Sequence, residues 1–325
     1  MRITVAAWIC AVAATLHPFA APAYAADAYP SRPVKFIVPF TAGGITDIAA
    51  RLFAQKLTED LGQRFYIDNR PGAGGNLAME LVAKSPPDGY TIGVATAGTH
   101  AINPSIYPHM PYDHIKDFAP VTLLSYEPSF LVVNPALPAR SVADLTALLK
   151  AKPNAYNYAS AGFGSSTHMS GEYFKIKTGT SMTHVPYKGG PEVIQAVITG
   201  QVELAFNGLS TSLRPVRDGA LRALAITSRE RSSVMPGVPA LSETIPGFEA
   251  LAWNGLVAPA GTPPEVIDVL VRGVQAAIKD PKIAERLRQT DATPVGNSPA
   301  QFAAFIAAET AKWAEVAKVS GAKVE

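Results

Sequence analysis

The chain is nearly free of cysteine: the one copy, Cys10, falls within the first dozen residues. Past that point there is no disulfide, cysteine nucleophile or thiolate metal site to build with. Charge is scarce too, at 17% of 325 residues with a formal net charge of +2. That excludes the basic excess of a nucleic-acid binder and the acidic excess of a solvating tail. The P-loop pattern G-x-x-x-x-G-K-[ST] is missing, and with it the phosphate-reaching lysine and the magnesium hydroxyl. Neither H-E-x-x-H nor H-x-x-x-H occurs, so His109 and His114 in "HMPYDH" are expected to be packing or surface histidines. No metal and no cofactor are expected. What remains is a globular chain with 48% hydrophobic residues, enough for two domains of ordinary size.

The first residues, "MRITVAAWICAVAATLHPFAAPAYAAD", have Arg2 as a positive start, an apolar run, and small residues at Ala23-Tyr24-Ala25. The run is too short for a membrane span and Pro18 interrupts it, so residues 1–26 are expected to be a Sec-type signal peptide cleaved near Ala25 or Ala26. Cys10 lies within the apolar run after Ile9, the wrong place for a lipid anchor. The mature chain is therefore expected outside the cytoplasm, in the periplasm.

Strand-like and helix-like segments alternate along the rest. "VKFIVPF" precedes "TDIAARLFAQKLTEDLG", with Ile48, Leu52 and Leu57 near one helical face and Gly62 as the stop. The run from Tyr156 to Ser228 reads as a compact βαβαβαβ unit between two irregular crossings, near 124–133 and 235–251. Such alternation predicts an α/β fold with largely parallel sheets flanked by helices. The two crossings predict an inserted lobe, 128–251, and a discontinuous lobe, 27–127 with 252–325. A cleft between them would face the carboxyl ends of the strands, where ligands of open α/β sheets bind.

Two loops carry the chemistry. In "FTAGGITD", Phe40 ends a strand, Gly43 and Gly44 turn the chain, and Thr46 or Asp47 opens a helix. Free N–H groups and the helix dipole make this an anion site; a tight turn with a capping threonine is the alternative. "YNYASAGFGSSTHMSGEYF" repeats the grammar with Gly162, Gly164, Ser165, Ser166 and Thr167. One such helix start per lobe suits a small carboxylate held between dipoles and hydroxyls. "GAGGN" at 72–76 misses the dinucleotide fingerprint because Leu77 stands where glycine is required, so it predicts a turn with Asn76 as a cap. Tyr187 and Lys188 in "PYKGG", Asn207 in "FNGLS", and Ala97, Gly98 and Thr99 in "TAGTHAINP" all follow strands, and loop packing explains each of them equally well. "GFGSST" is not the G-x-S-x-G elbow, so a serine hydrolase is the weaker alternative.

Taken in order, "VKFIVPFTAGGITDIAARL", "IDNRPGAGGNLA", "DGYTIGVATAGTHAINPSIY", "YASAGFGSSTHMSGEYFK", "HVPYKGG" and "PGFEALAWNGLVAPAGTP" resemble the Bug family. These are the extracytoplasmic solute-binding receptors of tripartite tricarboxylate transporters. The resemblance covers nearly all the chain after Tyr29. It implies a type II-like periplasmic-binding-protein fold, a carboxylate ligand gripped partly through ordered water, and membrane transporter subunits as partners. It implies no catalysis and no nucleic-acid partner, and the protein is expected to be a monomer. Carried over by position, the first grip is Phe40, Ala42, Gly43, Thr46 and Asp47, with Ala97 and Thr99 nearby. The second is Ser160, Gly162, Ser166 and Thr167, with Tyr187 and Asn207 closing the pocket. Thr41 stands where the family often has proline, and Ala78 where it often has glycine. Thr41 is expected to add a hydroxyl near the grip, and Ala78 to crowd a backbone approach.

Asp47 is the difficulty, because a carboxylate there repels an anionic ligand. Pointing away as a cap, ordering bridging waters or meeting an amine are the three arrangements open to it, and waters or an amine are expected. Tricarboxylates, dicarboxylates, amino acids and aromatic acids all remain open as ligands. A sensory receptor presenting its ligand to a signalling partner would use the same cleft.

Overall fold

The computed structural model describes residues 29–289 and 291–324; the leader expected over 1–26, with Cys10, lies outside them. In chain order the first elements are β1 (Val34–Val38), α1 (Ile45–Leu61), β2 (Phe65–Asn69), α2 (Asn76–Ala83), β3 (Thr91–Thr96) and α3 (Asn103–Ile106). The long strand β4 (Phe118–Val133) leads to α4 (Val142–Ala151), β5 (Asn157–Ser160), α5 (Ser166–Thr178), β6 (Thr183–Pro186), α6 (Gly190–Ile198), β7 (Leu204–Gly208), α7 (Leu209–Arg217) and β8 (Arg222–Ile226). The chain returns through β9 (Leu251–Pro259) and ends with α8 (Pro264–Lys279), α9 (Pro281–Gln289), β10 (Thr293–Pro294) and α10 (Pro299–Ser320).

Local chemistry sets many of these boundaries. Gly62 adopts φ 70° and ends α1 in the left-handed conformation that costs a glycine little. The Ser141 hydroxyl accepts the Asp144 N–H at the start of α4, and Ser298 with Gln301 forms a reciprocal capping box on α10. Helix α8 buries Val266, Ile267, Leu270, Val271, Val274 and Ala277 along one stripe. In α1 the buried face is Thr46, Asp47, Ala49, Ala50, Phe53, Ala54 and Leu57, while Ile48 and Leu52 are half-buried. Of the three aliphatic residues expected on one face, Leu57 is fully buried, while Ile48 and Leu52 stand at the margin of that face.

The strands form one curled mixed sheet in the order β2-β1-β3-β9-β4-β7-β5-β6, with β8 and β10 also paired to β4. Parallel pairing holds on the flanks, where β1 joins β2 and β3, and β5 joins β6 and β7. The central strands run the other way: β9 is antiparallel to β3 and β4, and β4 is antiparallel to β7 and β8. The expected irregular crossing at 124–133 is therefore a strand. Its first part pairs with β9 and its last residues pair with β7 and β8, with register shifts at Pro120/Thr122 and Leu123/Ser125. The second crossing is irregular as expected and holds a single 3-10 turn, Leu241–Glu243.

Two apolar clusters each belong to one side of the sheet. One packs α1 and α8 against β1 and β3, and the other packs α6 around Phe130, Val132 and Ala205. A third runs across both sides, from Ile37 and Met79 through Trp253 and Phe302 to Tyr158, Phe174 and Phe206. Ala78 is fully buried in this third cluster. Its methyl is core packing, not an obstacle to a backbone approach as expected from sequence.

Candidate ligand-binding site

The ends of β1, β3 and β7 and the start of β9 meet at one edge of the sheet. There they enclose a slot of about 40 Å³ lined by Phe40, Gly44, Ile45, Thr46, Thr96, Ala97, Gly98, Ala161, Ser165, Ser166, Thr167, Gly190, Asn207, Gly208, Ala252, Trp253 and Asn254. None of these residues carries a charge. The first turns of α1 and α5 face the slot from opposite sides, presenting the N–H groups that no helix bond uses. The Thr46 and Ser166 hydroxyls have no hydrogen-bond partner among the described residues, whereas their neighbours are committed. The Ser165 hydroxyl donates to the Gly162 carbonyl (2.7 Å) and accepts the His168 N–H (3.2 Å). The Thr167 hydroxyl accepts the Ala161 N–H at 3.1 Å. Asn207 donates its amide to Thr211 (2.6 Å) and Ser212 (3.2 Å). Neutral walls, two free hydroxyls and two helix starts can hold an anion of a few atoms without a counter-charge.

Of the residues expected from sequence, Phe40, Thr46, Ala97, Ser166, Thr167 and Asn207 line this slot. Gly162 and Tyr187 line a second cavity outside it, which Phe40 also borders. Ala42 and Gly43 are exposed on the loop and line neither cavity. Thr99 and Ser160 are fully buried behind the slot. The Thr99 hydroxyl accepts the Thr96 N–H (3.0 Å), and the Ser160 hydroxyl meets His184 Nε2 at 2.6 Å. They shape the ends of β3 and β5 from inside.

Asp47 departs most from expectation. It is 2% exposed and lines neither cavity. One carboxylate oxygen accepts the Gly43 N–H (2.8 Å) and Arg51 Nε (2.9 Å), and the other accepts the Asn69 amide (2.9 Å). Burial works against its ionised form, but the bonds from Arg51, Gly43 and Asn69 outweigh it and hold its pKa below the ordinary value. The carboxylate thus occupies one of the N–H groups assigned to the ligand and ties the loop back onto α1. Of the three arrangements open to it, these contacts are those of the cap-like one. Thr41 is also diverted, donating to Glu192 Oε2 (3.2 Å) across the cleft. Asn76 does not cap α2; its carbonyl oxygen accepts from Asn103 (2.6 Å) and Tyr112 (2.9 Å).

Sequence reading missed Trp253 and Asn254. It looked for ligand groups at the carboxyl ends of strands, but β9 is antiparallel, so its amino end reaches the same edge. Trp253 is 1% exposed and donates its indole N–H to Glu309 of α10 (3.1 Å), which fixes it as part of the slot wall. Asn254 donates to Glu127 Oε1 at 2.8 Å. Glu127 is buried, which pushes its pKa up to about 7 against the opposing effect of that bond.

Behind the α5 loop, the His168 and His184 rings stack at 4.1 Å. The Gly164 N–H donates to His168 Nδ1 (3.2 Å), so that nitrogen is the acceptor of a neutral ring. Burial lowers the pKa of His168 to about 4 and of His184 to about 2. Ser160 and His184 line neither cavity, and the Ser166 hydroxyl has no hydrogen-bonded base among the described residues.

The family model described as tripartite tricarboxylate transporter family receptor matches residues 49–321. BugT of Bordetella pertussis is 38% identical over 302 residues, which cover 92% of this chain and 93% of that protein. Among solved structures, R. palustris Rpa4515 with adipate superposes with a TM-score of 0.88 at 40% identity, over 90% of this chain and 98% of the other. MatC from Rhodopseudomonas palustris with bound malate superposes with a TM-score of 0.84 at 34% identity, over 89% and 99%.

Proposed function

The chain belongs to the tripartite tricarboxylate transporter receptor family, and on that premise we propose that it captures a small carboxylate by closing its two halves over the slot. The captured ligand is then delivered to the membrane subunits of a tripartite transporter. The observation that carries this reading is the pair of uncommitted hydroxyls, Thr46 and Ser166, on helix starts facing one uncharged slot from opposite sides. A carboxylate there accepts from the first-turn N–H groups of α1 and α5 and from both hydroxyls. The adipate and malate in the solved relatives support the ligand class.

Closure is assigned to the two crossings, the middle of β4 near Pro128 and the return through 235–251. These divide the chain into an inserted lobe, 128–251, and a discontinuous one, 27–127 with 252–325. The protein acts as a monomer, exported to the periplasm through cleavage of the leader over 1–26. No helix among the described residues is long and apolar enough to cross a membrane. The function is binding without turnover, in keeping with the receptor family to which the chain belongs.

A thermal-shift panel of mono-, di- and tricarboxylates tests the reading. A ligand at a hundred times its Kd raises stability by about 2.7 kcal/mol, an increase visible in the melting midpoint. Thr46→Val and Ser166→Ala should each reduce the shift. If no carboxylate moved the midpoint, the receptor reading would fall.

A further inference from the structure

Behind the slot wall lies a carboxyl group to which ligand capture gives no task. Asn254 lines the slot from β9 and donates one of its two amide N–H bonds to Glu127 Oε1 at 2.8 Å. Glu127 is 2% exposed on β4 and lines neither cavity, and Asn254 is its one bonded partner among the described residues. We propose that Glu127 is a proton-binding positioning residue: a carboxylate entering the slot draws one proton from solvent onto Glu127 across the Asn254 amide, so ligand and proton are captured together. This rests on the carboxylate-receptor reading and adds a second, protonic cargo to it.

The geometry gives the coupling its sign. A ligand carboxylate and an ionised Glu127 would stand on either side of a single amide, and like charges repel more strongly in a protein interior than in water. No cation lines the slot to offset them. The elements packed on β4 supply none either. Arg214 and Arg217 of α7 are exposed, and Arg214 pairs with Asp218. Glu265, Asp268, Arg272 and Lys279 of α8 all face solvent, as do Lys312, Glu315 and Lys318 of α10. Glu309 of α10 bonds to Trp253 and Trp313, and Trp253 alternates with Asn254, so that carboxylate lies on the opposite face of β9. Arg222 of β8 is spent on the carbonyls of Leu137 and Ala139. The β9 residue opposite Glu127 is Ala252.

A buried carboxyl without a cation favours its neutral form. Burial accordingly pushes the pKa of Glu127 up to about 7, against the Asn254 bond. Near neutral pH the free protein thus holds this proton part of the time, and an arriving anion completes it. Affinity is greatest where Glu127 is already protonated and falls as pH rises through 7. His100, His168 and His184, lowered to about 3, 4 and 2, stay neutral across this range and contribute no slope.

Titration calorimetry with acetate, succinate and phenylacetate tests the coupling, and the tightest binder of the three is followed at about pH 6.5 and about pH 8.5, where carboxylates of ordinary pKa stay ionised. Wild-type affinity should weaken threefold or more between the two. Repeating the titration near pH 7.5 in buffers of different ionisation enthalpy should show uptake of at least about 0.3 proton per ligand bound. Glu127→Gln keeps an acceptor for Asn254 but cannot titrate, so its affinity should be the same at both pH values and its proton uptake zero. A wild-type affinity that did not fall with pH, or binding without proton uptake, would overturn the inference and leave the carboxylate receptor standing. So would a Glu127→Gln protein that kept the wild-type slope. Were that variant not to fold, the wild-type proton count and a slope centred near pH 7 would decide. Were none of a wider carboxylate panel to bind at either pH, this inference and the receptor reading would fall together.

Discussion

Asp47 shows how a single buried charge can brace a loop without lining the slot beside it. Its three hydrogen bonds pin Gly43, Arg51 and Asn69 around the first turn of α1. Hydrogen bonds to charged groups contribute roughly 1.5–3 kcal/mol each, and a buried donor left alone costs a comparable amount. Asp47→Asn keeps one acceptor but turns an amide towards a donor, so the loop should loosen and α1 should lose support together. Thermal melting of the ligand-free variant and calorimetry with the best carboxylate check this. Both the midpoint and the affinity should fall, the affinity by about tenfold, which is ~1.4 kcal/mol. A weaker affinity with an unchanged midpoint would place the carboxylate at the ligand after all. The residue types of this loop were legible in sequence: strand end, glycines, threonine, aspartate. Which way each side chain turned was not, because Asp47 meets Asn69 from β2 and Thr41 meets Glu192 from α6, and such partners lie far along the chain.

At the scale of elements, the crossing strands were the least legible part and turn out to be central. β4 has buried residues on both faces along most of its length, so it shows no alternation to mark it as a strand. Its Pro120 and Pro128 also read as breaks, yet both fall within the pairing with β9. Glu127 sits in this strand with Asn254 of β9 as its partner, and its pKa of about 7 in the fold makes the crossing sensitive to pH. The folded state holds that proton to a higher pH than the unfolded chain does. The stability this gives is complete below the ordinary value of 4.5 and is lost as pH rises through 7. The buried histidines act the opposite way. His100, lowered to about 3, His168, to about 4, and His184, to about 2, stay neutral in the fold, so stability is lost as pH falls below 6.5. Three histidines outweigh one glutamate, so the wild-type midpoint should drop between pH 7 and pH 5. Glu127→Gln isolates the opposing contribution. Its midpoint should match wild type near pH 4.5 and exceed it by several degrees above pH 7, at roughly 2–4 °C per kcal/mol for a chain this long. A difference that did not change with pH would refute the assignment.

For the whole molecule, the close approach of the two sides depends on positions that lack a side chain. A Cβ on Gly208 would come within 2.0 Å of Ile45 Cγ2, and one on Gly164 within 1.7 Å of Asn103 Oδ1. Gly164 also has φ 74°, which L side chains seldom adopt. Gly208→Ala should therefore hold the halves apart and lower carboxylate affinity at least tenfold, and adding Ile45→Ala should recover part of that loss. A double-mutant cycle by calorimetry measures the coupling, and a Gly208→Ala protein that bound normally would show that closure does not bring these residues together. The alternation of strands and helices made the α/β class readable from sequence. The seam was not, because a glycine that admits a ligand and one that admits another loop look the same in a string. The apolar cluster running from Met79 through Trp253 to Phe174 has a consequence of its own. Under the proposed closure, motion about β4 is confined to the edge that carries the slot, while the side near α10 stays packed. The two halves should then share their melting as well: separating one exposes the other's interior, so a single cooperative transition is expected in calorimetry.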